Sequence, residues 1–252
     1  MEHREYVKLV PGANTAVLFL HGIVGTPNHF VTQIPLVDLV PDSVTVYNVL
    51  LPGHGGCVDE FSRSSMNAWK AHVRSVFQSL LQTHERIILV GHSMGTLFAM
   101  QLALEYPDRV PFLFLIAVPM RPWVRLYGAV NCLRLTFGLI REDHPFEVAI
   151  KNVCGVEPTW KLFKYFGWIP RFLELLAEIY HMEKVMGNLT VPCIAWQSEK
   201  DELVSNISRR VLKKSGVMDV RNLLRSSHFY YHPEDAETVR QEFLHWIEKE
   251  PA

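Results

Sequence analysis

Residues 86–106 restrict the fold more than any other stretch. Arg86 to Val90 (RIILV) is an apolar run of strand length that ends at Gly91. After Gly91-His92-Ser93-Met94-Gly95, the segment from Thr96 to Tyr106 is apolar nearly all round. A helix without a polar face belongs in the middle of a domain, against a strand covered on both sides. The rest of the chain repeats this alternation. Strand-like runs occur at 16–20, 44–50, 112–118, 192–196 and 217–224. Between them, Asn67 to Gln82 places Trp69, Val73, Val76, Phe77 and Leu80 on one helical face, and 234–250 places Ala236, Val239, Phe243 and Trp246 on one face. Ser205 to Lys214 reads as a helix stopped at Gly216. Strands alternating with helices predict an α/β fold with a mostly parallel sheet.

With 252 residues, 48% of them apolar, the chain suffices for one such domain. From about Met120 to Val185 the alternation stops. That segment is rich in aromatic residues and reads as several helices, including a stripe of Trp123, Leu126, Tyr127, Val130, Leu133 and Phe137. The expected organisation is a core of 1–119 and 186–252, with a helical cap, 120–185, inserted after the sixth strand. The stripe suits packing and pocket lining equally.

A net charge of −1 without a long basic run argues against nucleic acid and against an electrostatically held membrane. Arg121, Arg125, Arg134 and Arg141 flank the aromatic stripe and read as solvated edges, with membrane contact the minor alternative. The charged start, Met1-Glu2-His3-Arg4-Glu5, has no signal-peptide pattern, and no apolar run reaches the length of a membrane span. Cys57, Cys132, Cys154 and Cys193 are scattered, which favours free thiols in a reducing cytoplasm and offers no zinc-ligand spacing. No phosphate loop or other cofactor motif occurs.

The pattern around Ser93 has the form G-x-S-x-G. By itself it is common, but here a strand precedes it and a helix follows it, the setting that presents a serine hydroxyl on a sharp turn. Flanking glycines let neighbouring chain pass close to such a turn. The plainer reading is a serine that caps a helix.

At this point the sequence resembles the α/β-hydrolase superfamily, and within it the small esterases and monoacylglycerol-lipase-like enzymes. Three further pieces carry the resemblance in order: Leu20-His21-Gly22-Ile23, Leu51-Pro52-Gly53-His54-Gly55, and a tail with an acid after the penultimate strand and a histidine after the last. It covers nearly the whole chain except the cap. It implies a central sheet of seven to eight strands. The N-terminal segment has room for one strand, near Tyr6 to Val10, where many members have two. Thr96 stands where many have a second glycine.

The resemblance implies roles. Ser93 is the nucleophile. His228, in Arg225-Ser226-Ser227-His228-Phe229, is the general base, with His232 the runner-up, read as the start of the final helix. Asp201 is the orienting acid, while its neighbours Glu199 and Glu202 read as solvated loop charges. The order Ser…Asp…His is the one this fold uses. Met94 and, by resemblance, Ile23 supply the backbone N–H groups of an oxyanion hole. His21, His54 and His92 read as structural. A serine needs a base, and the base an orienting acid, for acyl transfer to water. The expected activity is hydrolysis of small-molecule carboxylic esters with short to medium acyl chains, or of a monoacylglycerol. A thioesterase, an amidase or peptidase, and a carbon–carbon bond hydrolase remain open on the same triad. A non-catalytic binding protein on this fold is the reading from another class. Oligomeric state is not written in the sequence.

Overall fold

The computed structural model describes residues 3–249. In chain order the elements are β1 (Tyr6–Lys8), β2 (Thr15–Leu20), β3 (Thr45–Asn48), β4 (Gly56–Cys57), α1 (Val58–Arg63), α2 (Met66–Leu81), β5 (Arg86–His92), α3 (Met94–Glu105), β6 (Leu113–Ile116), α4 (Leu126–Thr136), α5 (Pro145–Val153), β7 (Val156–Glu157), α6 (Ile169–Val185), β8 (Cys193–Ser198), α7 (Ser208–Leu212), β9 (Met218–Leu223) and α8 (Pro233–Ile247). Seven strands form one sheet in the order β1-β3-β2-β5-β6-β8-β9. Only β1 runs antiparallel to its neighbour, pairing Val7 with Tyr47.

The sheet divides the core in two, and the strand sequences explain how. Side chains alternate across a strand. Ala16, Leu18, Leu20, Ile87, Leu89, Leu113 and Leu115 point to one side, where α2, α3 and α6 cover them with Trp69, Phe77, Leu97, Phe98, Ile179 and Met182. Val17, Phe19, Ile88, Val90, Phe114 and Ile116 point to the other, against Phe30, Ile34, Val239 and Phe243. Burial on both faces is why these strands read as unbroken apolar runs. The α3 helix is apolar all round because it lies between β5 and β6 on one side and α2 and α6 on the other. Ser65 caps α2 by accepting from the Ala68 N–H.

The 120–185 segment leaves the sheet after β6, the sixth strand in chain order and the fifth of the main sheet. It holds α4, α5 and α6, and also a strand the sequence did not signal. The two-residue β7 pairs in parallel with β4, setting Val156 beside Gly56. The stretch entering α4 runs antiparallel to the loop after β8: Trp123 N–H donates to Leu203 O (2.8 Å) and Arg125 N–H to Glu202 O (2.9 Å).

Apart from Tyr127, whose hydroxyl reaches Glu202 and Lys200 O, the aromatic stripe does not pack into the core. Trp123, Leu126, Val130, Leu133 and Phe137 are all exposed, and the buried positions of α4 are Gly128 and Asn131. On α6, Ile169, Phe172, Leu173, Leu176 and Tyr180 likewise face solvent, while Glu178 turns inward to Lys70 at 3.0 Å. The flanking arginines are not merely solvated edges. Arg121 pairs with Glu183 (2.7 Å), Arg134 and Arg141 converge on the buried Glu147 (2.9 and 2.6 Å), and Arg125 donates to Glu199 O. All four cysteines are free. Among the described residues no helix is long and apolar enough to cross a membrane.

Candidate active site

Ser93 stands between β5 and α3 with φ 52° and ψ −122°. A non-glycine residue with positive φ costs on the order of 1–3 kcal/mol, so the surrounding structure must enforce it. Here the Ser93 N–H donates to Ile116 O of the neighbouring strand (2.9 Å), and the Thr96 hydroxyl donates to Ser93 O (2.6 Å). The Ser93 side chain makes no capping hydrogen bond to α3, so the helix-cap alternative is not what this serine does. Gly95 permits the turn, because a Cβ there would lie 2.0 Å from Leu20 O.

Three other strands deliver their following loops to the same edge of the sheet. The loop after β8 carries Asp201, and the loop after β9 carries His228. Asp201 is 1% exposed and His228 2%. The His228 Nδ1 lies 2.9 Å from Asp201 Oδ2 and 3.2 Å from Oδ1. Asp201 Oδ1 also accepts from the Leu203 and Val204 N–H groups (2.8 and 2.7 Å), which leaves the carboxylate oriented by its own loop. His232 caps α8 and accepts from the Glu234 N–H, as its place at the start of that helix predicts.

The loop after β2 brings Gly22 and Ile23 to the serine: a Cβ on Gly22 would be 2.7 Å from Ser93 Cβ. Gly22 O accepts from His21 Nδ1 (2.8 Å) and from the Gly25 N–H (3.0 Å). In a trans peptide the N–H points opposite to the C=O, so both bonds also fix the Ile23 N–H. Met94 is the first residue of α3, where a helix leaves N–H groups without intrahelical partners. His54 accepts from the Val24 N–H (3.2 Å) and His21 Nε2 from the Leu51 N–H (3.1 Å), so both bind loop to loop.

His92, beside the serine, donates from Nε2 to His228 O (3.1 Å) and stacks on His29 with centroids 3.6 Å apart. His29 had no sequence signal. Electrostatics then separates these imidazoles. Burial pushes His21 down to about 4 and holds His29, His54 and His92 well below the usual histidine range. His228 goes the other way. Burial pulls it down, but the charges of Asp201 and Glu202 outweigh that and leave it raised. A proton offered to this cluster goes to His228.

Glu202 is a second residue that sequence reasoning misread. It is 1% exposed, and its Oε2 accepts from the His228 main-chain N–H (2.9 Å). Glu199 is also engaged, by Arg209 (2.6 Å) and Asn206 (2.7 Å).

Comparison with known proteins agrees with the fold. Residues 17–242 match the alpha/beta hydrolase family. The chain is 33% identical over 95 residues to the thermostable monoacylglycerol lipase of Bacillus sp. (strain H-257), covering 36% of each chain. It is 31% identical over 121 residues to the probable lysophospholipase BODYGUARD 4 of Arabidopsis thaliana, covering 47% of this chain and 28% of that one. The matches thus span about a third of those relatives' length. Over nearly full length, the structure of the Paleococcus ferrophilus monoacylglycerol lipase superposes with a TM-score of 0.65 at 16% identity, covering 98% of both chains. A structure from work on the metagenome-derived lipolytic enzymes LipS and LipT gives 0.71 at 18%, covering 99% of this chain and 98% of that one. With 226 of its residues inside the family match, the chain belongs to the alpha/beta hydrolase family.

Proposed function

We propose that the protein is a serine hydrolase of carboxylic esters acting through an acyl-enzyme. The observation that carries this reading is the pairing of a strained, uncapped Ser93 with an Asp201–His228 couple at the same edge of the sheet. His228 accepts the Ser93 hydroxyl proton as Oγ attacks the ester carbonyl, and Asp201 stabilises the imidazolium that forms. The oxyanion is met by the N–H groups of Ile23 and Met94. His228 then passes its proton to the leaving alcohol, and a water activated by the same imidazole releases the acid. Support for a glycerol-ester substrate such as a monoacylglycerol comes from the partial likeness to a monoacylglycerol lipase and a probable lysophospholipase, and the acyl chain length is the quantity the ester series below measures.

The test treats wild type and Ser93→Ala with a fluorophosphonate and locates the label by peptide mass. Both proteins are also assayed on p-nitrophenyl esters of increasing chain length, with an acyl thioester and an aminoacyl amide in parallel. Label on Ser93 and ester turnover lost in the variant are the expected results. Preferential cleavage of the thioester or the amide refutes the ester reading, and a wild type that neither labels nor turns over refutes the hydrolase reading.

A further inference from the structure

The loops after β8 and β9, which the triad brings together, also meet α4 at one buried carboxylate, a contact the triad does not require. Glu202 Oε2 accepts from the His228 N–H (2.9 Å) and from the Tyr127 hydroxyl (3.3 Å), and Gly128 lies against the Glu202 Cβ and Cγ. Tyr127 and Gly128 lie in the first turn of α4, and the single Tyr127 O–H is shared between Glu202 and Lys200 O (3.4 Å). The Glu202 main chain carries the Arg125 rung of the ribbon that leads into that helix. A buried carboxylate is costly unless its oxygens are used. This one is spent on the general base from one side and on the inserted helix from the other.

We propose that Glu202 is a positioning residue that holds the His228 main chain, adds a second negative charge beside the imidazole, and ties both to the placement of α4. It takes from the proposed function only that His228 carries the proton. The titratable groups facing Glu202 are Asp201 on its own loop, His228 and Tyr231 on the segment after β9, and Tyr127 and Cys132 on α4. Burial and the neighbouring Asp201 raise Glu202, while His228 draws it back toward ionisation. The charge of Glu202 favours protonated His228. Removing it therefore moves the titration of His228 to lower pH and weakens the base.

The experiment compares wild type, Glu202→Gln and Tyr127→Phe by three readouts. The His228 imidazole is titrated by NMR and assigned with a His228→Asn control. The rate of fluorophosphonate labelling is followed against pH, and Tm is measured for each protein. Glu202→Gln keeps the size and an acceptor. Its labelling should fall by up to about tenfold at the optimum, because the His228 N–H exchanges a charged acceptor for a neutral amide oxygen. Its acid limb and its His228 titration should both move to lower pH, with Tm close to wild type. Tyr127→Phe removes a hydroxyl but no charge and should leave the titration in place. Should Glu202→Gln fail to fold, Glu202→Asp, which withdraws the charge by one methylene, should move the limb in the same direction by less. An unchanged His228 titration in the Glu202 variant overturns the proposal, as does an equal shift in Tyr127→Phe. If the titration moves while no ester is cleaved, the ester reading falls and this inference stands, because the NMR readout needs no substrate.

Discussion

Acid should unfold this protein steeply, and the buried histidines set the slope. His21, His29, His54 and His92 are all held neutral by burial. Their folded pKa values lie below that of the unfolded chain, so the stability they carry is present above pH 6.5 and lost as pH falls. For His21 the window runs from 6.5 to about 4, a loss of about 3 kcal/mol from that side chain alone. Near pH 5.5 each of the four takes up close to one proton on unfolding. At ~1.4 kcal/mol per proton per pH unit, stability should fall by about 5 kcal/mol per unit. His228 has the opposite sign. Its raised folded pKa gives stability already complete below the unfolded value and lost as pH rises through the folded one, so it adds no slope near 5.5. Summed from neutrality the four cost about 5 kcal/mol by pH 5.5, so a domain at the lower end of the usual ~5–15 kcal/mol should unfold near that pH. Urea unfolding at pH 7.5, 6.5, 5.5 and 5.0 measures the slope directly. His54→Gln, which keeps a donor and an acceptor for Pro52 O and the Val24 N–H, should lower the slope by about 1.4 kcal/mol per unit. A wild-type slope no steeper than one proton would refute the reasoning, because the imidazoles would then be charged in the fold.

Other consequences follow from the same geometry. Ser93→Gly should be inactive yet more stable by about 1 kcal/mol, because glycine accepts φ 52° without strain; chemical denaturation reads this directly. Asp201→Asn should lower kcat on the order of 10^4-fold with KM little changed, through loss of the His228 orientation, as steady-state kinetics on the best p-nitrophenyl ester would report. Phe243→Ala should cost ~3–5 kcal/mol, since that ring is fully buried between Phe19 and Phe114, whereas the exposed Leu173→Ser should stay within about 0.5 kcal/mol of wild type in the same urea titration.

What could be read from the sequence was local or contiguous. The strands of the main sheet lie within a residue or two of the apolar runs; in the central strands β2, β5, β6 and β8 this is because burial on both faces removes the polar positions that would blur their ends. The turn at Ser93 was legible because strand, turn and helix follow one another without a gap. Asp201 and His228 were placed by resemblance, and the structure brings them to 2.9 Å. Glu202 was not legible. A carboxylate in a polar loop looks solvated, and its burial arises only when the β8 loop, the β9 loop and α4 come together from positions as much as a hundred residues apart. His29 failed for the same reason, since its partner ring belongs to His92. The β4–β7 pair is two residues long and carries no periodicity at all.

The aromatic stripe shows the limit of periodicity in another way. A 3.6-residue period separates two faces of a helix but does not say which one is inside. On α4 the inward face must meet the Glu202 carboxylate, and a hydroxyl and a glycine meet it better than leucine or phenylalanine would. Once Tyr127 and Gly128 are committed there, Leu126, Val130 and Leu133 have only solvent to face. On α6 the inward face is mixed: Leu175, Ile179 and Met182 are buried in the core, Glu174 accepts from the Met66 N–H (2.9 Å) and Glu178 binds Lys70, which leaves Leu173 and Leu176 on the outward side. On α4 the inward face is given to the Glu202 carboxylate, whereas on α6 apolar packing and two carboxylates share it, and in both helices the remaining apolar residues are left exposed.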